Sequence, residues 1–193
     1  FAFKFKKNRN FFSNQYGGNG ICPKCKGMGY LEYGSRYDGI VRLECSECSG
    51  TGFSKKLKKY RLSGKNLYDI WNMTIDELND FLCQFDPIPI INEAKTLLLG
   101  HLKLGQLVST LSGGENIRIR LLKTAQTSAD LLGIDEPFKG LSNSEIFMVV
   151  QYLDDPRSKG RTIIVTDHSE RTAHYFARCI ELVNEENVLY GKS

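Results

Sequence analysis

The sequence predicts an α/β fold: a mostly parallel sheet with flanking helices, carrying an inserted small β module built on four cysteines. Three observations predict it. Two C-x-x-C-x-G-x-G units occupy residues 22–29 and 45–52. Two apolar strand-like runs, residues 131–134 and 161–166, flank a helical pattern that opens at Ser142, the arrangement of a βαβ crossover. Three helix starts carry the Ser/Thr-x-x-Glu spacing of a capping box: Thr74 with Glu77, Ser112 with Glu115 and Ser142 with Glu145.

Bulk properties bound what such a chain can be. At 193 residues it fits one large domain, or one domain and a small module. Hydrophobic residues make up 41% of it, enough for a core. The longest apolar stretches, such as Leu97–Leu99 and Ile163–Val165, are far too short to cross a membrane. No signal peptide is visible, so the paired C-x-x-C units point to metal in a reducing cytoplasm rather than to disulfides. The net charge of +4 conceals a segregation: residues 1–66 carry a balance of +10 and residues 67–193 one of −6. A basic half of that kind suits an anionic partner, most often nucleic acid. The plainer reading is that the acidic half packs against something outside the chain.

The chain opens at Phe1 without an initiator Met, as expected of an excised fragment, and processing would explain the same start. Phe1, Phe3 and Phe5 alternate with Lys4 and Lys6, ahead of Lys7 and Arg9, so residues 1–16 are expected to supply a strand of the main fold. Residues 17–66 form the cysteine module and its basic flank. A C-x-x-C turn sets two thiolates on one side of a tight knuckle, and a second knuckle completes the shell. Cys22, Cys25, Cys45 and Cys48 are therefore predicted ligands of a Zn²⁺ ion at about 2.3 Å. A closed four-sulfur shell leaves no open position, so that zinc is structural. The glycines after each pair permit positive φ and let backbone N–H groups turn toward sulfur. Tyr30–Tyr33 and Ile40–Leu43 alternate as a hairpin around Asp38-Gly39. Lys55, Lys56, Lys58 and Lys59 follow, then Arg61 and Lys65, a cluster suited to phosphates. Tyr16, Tyr30 and Tyr33 could add stacking. For any one lysine a solvated face serves equally well.

Residues 67–128 read as helical. The Thr74 box starts a helix over 75–84 that Pro87 and Pro89 end, and a second helix over 91–99 stops at Gly100. Leu104-Gly105-Gln106 leads into Leu111-Ser112-Gly113-Gly114-Glu115, which opens a helix through Leu122. The glycines leave backbone N–H groups open at a positive helix end, an anion site, although a capping box alone explains the same residues. Residues 129–193 read as the α/β core. The Leu131–Ile134 strand ends in Asp135-Glu136, two adjacent carboxylates suited to holding Mg²⁺ and directing an attacking water. The Arg161–Thr166 strand runs parallel to it, and His168 follows at its carboxyl end, where ligands bind in such sheets. His101 and His174 are expected to be structural, and Cys83 and Cys179 to be buried small hydrophobes. A phosphate-cradling G-x-x-x-x-G-K-[S/T] loop is not among the 193 residues.

Together these motifs resemble the back half of an ATP-binding cassette ATPase. Leu111–Glu115 is similar to the signature motif, Leu131–Glu136 to the Walker B strand, Gly140-Leu141-Ser142 to the D-loop region and His168 to the switch histidine. More narrowly, from about residue 11 to 190 the chain resembles the C-terminal part of the UvrA family, the ATPase subunits of the bacterial excinuclease. Phe11-Phe12-Ser13-Asn14, Asn72-Met73-Thr74 and Leu104-Gly105-Gln106 add to the likeness, as does a four-cysteine module ahead of the signature. The resemblance implies that Asp135 coordinates Mg²⁺, Glu136 is the catalytic base and His168 contacts the γ-phosphate. Ser112, Gly113 and Gly114, with Glu115, would face ATP held by a second cassette domain in a dimer. It also implies double-stranded DNA as partner, ATP hydrolysis coupled to damage recognition in nucleotide excision repair, and no turnover by these residues without the N-terminal half.

The chain departs from the family where Phe138 and Lys139 replace two threonines, Ser142 replaces a histidine and Thr166-Asp167-His168 replaces a Glu-His ending. These departures point to a divergent paralogue. Two other readings stand beside the first. One is a UvrA-like ATPase of antibiotic resistance or transport, without DNA. The other is a zinc-stapled protein-binding module, because C-x-x-C-x-G-x-G units resemble those of DnaJ-type chaperones.

Overall fold

A computed structural model of the protein describes residues 1–35, 39–85, 88–182 and 189–192, the last four by their backbone. The chain divides into two compact units. One comprises Phe1–Phe81 with Leu102–Gln106, the other Leu82–His101 with Leu107–Ser193.

In the first unit the strand expected over residues 1–16 does not form. The Phe5 N–H donates to the Phe1 carbonyl at 2.9 Å and the Lys7 N–H to Ala2 at 3.1 Å, and a 3₁₀ turn follows at Arg9–Phe12. The reason is aromatic packing. Helical spacing puts Phe1 and Phe5 on one side, with ring centroids 6.1 Å apart, and both rings meet Phe12. Phe3, which the alternation placed on the buried face, is 99% exposed.

Strand β1 (Tyr30–Ser35) pairs antiparallel with β2 (Gly39–Glu44), from Tyr30 opposite Glu44 to Ser35 opposite Gly39. Asp38, expected in the turn, lies outside the described residues. A 3₁₀ turn at Lys55–Lys59 is anchored by fully buried Leu57, whose burial stabilises by about 2 kcal/mol. Helix α1 (Leu67–Trp71) opens the stretch read as helical and is capped by Asn66, whose side chain accepts from Tyr68 and Asp69 N–H while Asp69 accepts from the Asn66 N–H. The Tyr68 hydroxyl donates to the Phe53 carbonyl. Helix α2 (Ile75–Leu82) starts on the expected box, with Thr74 N–H to Glu77 Oε2 at 2.8 Å and Glu77 N–H to Thr74 Oγ1 at 3.1 Å. Gly105 sits so close to Trp71 that a Cβ there would run into the indole, while its N–H donates to the Trp71 carbonyl.

The second unit contains the α/β element. Helix α3 (Pro89–Thr96) begins at Pro89. The proline expected to stop a helix instead starts one, since a first-turn residue needs no N–H and gains from a fixed φ. Pro87 lies outside the described residues. Helix α4 (Gly113–Ala125), strand β3 (Leu131–Asp135), helix α5 (Asn143–Ser158) and strand β4 (Thr162–Thr166) follow as expected. β3 and β4 pair in parallel, from Leu131 opposite Thr162 to Asp135 opposite Thr166, with α4 packed on β3 and α5 on β4. Arg161 locks the α4–β3 connection by donating to the carbonyls of Ala125, Thr127 and Ala129 at 2.6–3.0 Å. A closing antiparallel pair, β5 (Cys179–Leu182) with β6 (Leu189–Lys192), was not anticipated. Cys83 and Cys179, expected to be buried, are both exposed. At the Cys179 site, Ile180 and Leu182 are 68% and 82% exposed, so the apolar sequence around it does not mark a core. Among the described residues, no helix is long and apolar enough to cross a membrane.

Candidate functional site

The cysteine centre is built by two copies of one backbone motif. In each knuckle the residue after the second cysteine takes positive φ (Lys26 52°, Ser49 49°), followed by positive-φ glycines (Gly27 and Gly29, Gly50 and Gly52). That curl brings the Gly29 N–H to Cys25 Sγ and the Gly52 N–H to Cys48 Sγ, both at 3.3 Å. The knuckles also exchange backbone bonds: Cys22 N–H to the Gly52 carbonyl at 2.7 Å and Cys45 N–H to the Gly29 carbonyl at 2.8 Å. A Cβ at Gly29 would strike the Gly50 carbonyl, and one at Gly52 the Gly27 carbonyl, so glycine is required by space as well as by φ.

The four sulfurs lie within 4.8 Å of one another and are all buried. A tetrahedral shell with bonds of about 2.3 Å has S···S edges of about 3.8 Å. The observed Cys25–Cys48 and Cys22–Cys45 separations, 3.6 and 4.0 Å, bracket that value. Burial pushes the Cys22 and Cys48 thiols up. At Cys45 burial also acts upward, but hydrogen bonds from the Cys48 and Glu47 backbone outweigh it and bring the thiol to about 7. Four buried sulfurs at this spacing, two of them accepting N–H bonds, can hold a metal ion.

The second constellation lies at the carboxyl ends of β3 and β4. Asp135 closes β3, its Oδ1 accepting from the Thr166 hydroxyl on β4. Glu136 follows with φ of 45° and donates its N–H to the Thr166 carbonyl at 2.9 Å. A left-handed, non-glycine backbone costs free energy and turns the side chain out of the strand line. It delivers the carboxylate to His168, with Nε2 3.1 Å from Oε1, across 32 residues of sequence. The structure thus joins the predicted Glu136 and His168 directly. It adds Lys139, whose Nζ lies 2.6 Å from the other carboxylate oxygen. That contact raises the Lys139 pKa, first through the hydrogen bond to Glu136 and then through its charge. The i,i+3 acid–base spacing was its only signal in the sequence.

At the start of α4, Ser112 Oγ accepts the Glu115 N–H at 3.2 Å, and Glu115 Oε2 accepts the Ser112 N–H at 2.7 Å. Gly113 has open space where a Cβ would be, whereas a Cβ at Gly114 would press on Leu141. Glu115 is fully engaged, because His101 Nε2 meets its other oxygen at 2.7 Å. His101, expected to be structural, thus has a specific partner in Glu115. Its hydrogen bond, with that of the Ser112 N–H, holds the Glu115 carboxyl below its usual range. The box at α5 is built alike. Glu145 accepts from the Ser142 N–H and hydroxyl, which lower its pKa, and its other oxygen takes Arg118 at 3.1 Å.

Lys55, Lys56, Lys58 and Lys59 are all exposed on the turn anchored by Leu57. Lys55 is partly engaged by Glu47 at 3.2 Å, and Lys58 covers the Tyr68 ring at 4.6 Å. Lys59 lies over Tyr60, whose ring meets Phe5 and Phe11 at 5.1 and 5.5 Å. Those two rings carry Lys4 and Lys7 in turn. The aromatic cluster therefore draws the two basic runs together, though they lie some fifty residues apart in sequence. Tyr16 and Tyr33 are exposed, whereas Tyr30 is half-buried beneath Arg42.

No family model matches the chain. UvrABC system protein A of Haemophilus influenzae is 33% identical over 157 residues, covering 78% of this chain and 16% of that protein. The protein of the same name from Borreliella burgdorferi is 33% identical over 173 residues, covering 84% and 18%. Among solved structures, UvrA2 from Deinococcus radiodurans matches with a TM-score of 0.74 at 28% identity, covering 90% of this chain and 22% of that one. The chain spans less than a fifth of the length of these curated relatives. A match that runs through most of the chain in both sequence and fold means that the chain belongs to the UvrABC system protein A family.

Proposed function

We propose that this chain is the C-terminal part of a UvrA-like, DNA-binding ATPase that couples ATP hydrolysis to recognition of damaged duplex in nucleotide excision repair. The observation that carries the reading is the strand-tip cluster, in which Glu136 meets His168 at 3.1 Å beside Asp135. Glu136 is the base that orients the attacking water, and His168 holds both that carboxylate and the γ-phosphate. Asp135, steadied by Thr166, is placed to hold Mg²⁺. When bound, that ion would neutralise charge developing on the phosphates. Ser112, Gly113 and Gly114 present a helix N-terminus to ATP held by a second cassette domain, and the phosphate-binding loop comes from elsewhere in the assembly.

The cysteine shell takes zinc, which suits tetrahedral thiolate sites. Lys55, Lys56, Lys58 and Lys59, joined by Lys4 and Lys7 through the aromatic cluster, line a surface for duplex phosphates.

In the intact protein, Glu136→Gln should lower ATP turnover by about 10²–10⁴-fold while leaving zinc content unchanged. Neutralising the four lysines should weaken duplex binding and flatten its salt dependence. Turnover that survives Glu136→Gln would sink the catalytic assignment. A second reading, an ATPase of resistance or transport, is favoured by Phe138, Lys139 and Ser142 at the departures from the family pattern. Intact ATPase activity without DNA affinity would select it.

A further inference from the structure

Lys139 closes the turn on which Glu136 sits. The Lys139 N–H donates to the Glu136 carbonyl at 3.3 Å, and its ammonium reaches Glu136 Oε2 at 2.6 Å. The other oxygen, Oε1, faces His168 at 3.1 Å. A carboxylate that acts on water must turn an oxygen toward it, and here one oxygen is already held by the Lys139 ammonium while the other faces the His168 ring. The two neighbours differ in what they can do next. The Lys139 side chain is 73% exposed on a long flexible stem, and an exposed pair of this kind is weak enough to open readily. A second anion arriving at the strand tips would compete for the ammonium.

We propose that Lys139 is a positioning residue that restrains Glu136, holding one carboxylate oxygen until a nucleotide phosphate draws the ammonium away. The inference rests on the ATPase reading above. It makes Lys139 a brake on basal turnover rather than part of the turn's architecture.

The test uses the intact protein. Lys139→Met keeps the stem and removes the charge, and Lys139→Arg keeps the charge. Lys139→Met should raise basal kcat for ATP by about two- to fivefold, the effect of losing an exposed ion pair. KM should move less than twofold, and Lys139→Arg should stay close to the parent. A second readout needs no turnover: acetylation of Lys139 Nζ, followed by mass spectrometry without nucleotide, should rise several-fold in Glu136→Gln. An unchanged or lowered kcat in Lys139→Met, or labelling that ignores Glu136→Gln, overturns the restraint. If turnover survives Glu136→Gln, the ATPase reading itself fails. If Glu136→Gln abolishes turnover and Lys139→Met changes nothing, only the restraint fails.

Discussion

The two units hold themselves together by opposite means. In the first, the four cysteines are at most 1% exposed, and every turn around them is made within thirty residues of sequence. In the second, the paired strands leave apolar side chains in water: Leu131 is 56% exposed and Ile164 53%. Parallel strands are ordinarily covered on both faces. Shape there depends on polar links between distant segments, such as Arg118 to Glu145 and Arg161 to the α4–β3 connection. The difference shows that a cluster of four cysteines lets a short segment close on itself, whereas a parallel sheet draws its order from distant parts of the sequence.

The largest effect should break the comparison open. Structural metal in a small domain contributes on the order of 10 kcal/mol of folding free energy. Cys45→Ser, or a strong chelator, should therefore unfold the first unit and abolish stoichiometric metal. Hydrogen exchange in α4 and α5 should barely change. Gly52→Ala should do the same less completely, since its Cβ meets the Gly27 carbonyl. Amide exchange read by mass spectrometry after chelation checks both, and loss of protection across both units alike would show that the contrast is false.

A smaller effect probes the long-range links. Arg118 is 6% exposed, bonds Glu145 through one nitrogen and leaves Nε without a partner among the described residues. Arg118→Ala should cost about 2–3 kcal/mol, from a lost buried stem and a broken pair. Arg118→Met should recover most of that, because a hydrophobic side chain of similar volume often replaces a buried ion at little cost. Urea denaturation of the second unit measures both. If Met is as damaging as Ala, the charge rather than the packing fixes α4 against α5.

What the sequence made legible follows the same division. The knuckles could be read because every feature is local: cysteine spacing, the following glycines, the N–H bonds to sulfur. Three capping boxes and the Asp135-Glu136 strand end were legible for the same reason. The N-terminal segment misled because alternation of Phe1, Phe3 and Phe5 ignores the i,i+4 pairing of Phe1 with Phe5 around Phe12. Cys83 and Cys179 misled because apolar neighbours in sequence do not ensure burial. His101 on Glu115, Lys139 on Glu136 and Arg118 on Glu145 stayed hidden, since a charged residue says nothing about which acid it will meet.

The caps themselves should give about 1 kcal/mol each. Ser112→Ala and Ser142→Ala remove the hydroxyl that accepts the third helical N–H, a loss of that size in most helices. Ser142 also donates its hydroxyl to Glu145 at 2.8 Å, whereas the Ser112 hydroxyl is the weakest of the hydrogen-bonding influences on Glu115, so Ser142→Ala should be the more costly of the pair. Thermal melts of the two variants rank them, and equal shifts would mean that the extra bond contributes nothing.

The smallest effect lies in the acid limb. Glu115 and Glu145 both titrate below the usual carboxylate range, Glu115 through His101 and Ser112, Glu145 through Ser142 and then Arg118. A depressed folded-state pKa means that the unfolded chain takes up the proton first as pH falls. The contribution is therefore complete above about pH 4.5, the ordinary glutamate value, and disappears as pH drops through the lower folded values. Because acid also strips metal from thiolates, a global melt would mix the two units. Amide exchange confined to α4 and α5 between pH 3 and 6 separates them. Protection should fall more steeply below pH 4.5 in the parent than in the Glu115→Gln, Glu145→Gln double variant. Parallel slopes would mean that the carboxylates act as neutral caps, leaving the distant links in the second unit to packing rather than charge.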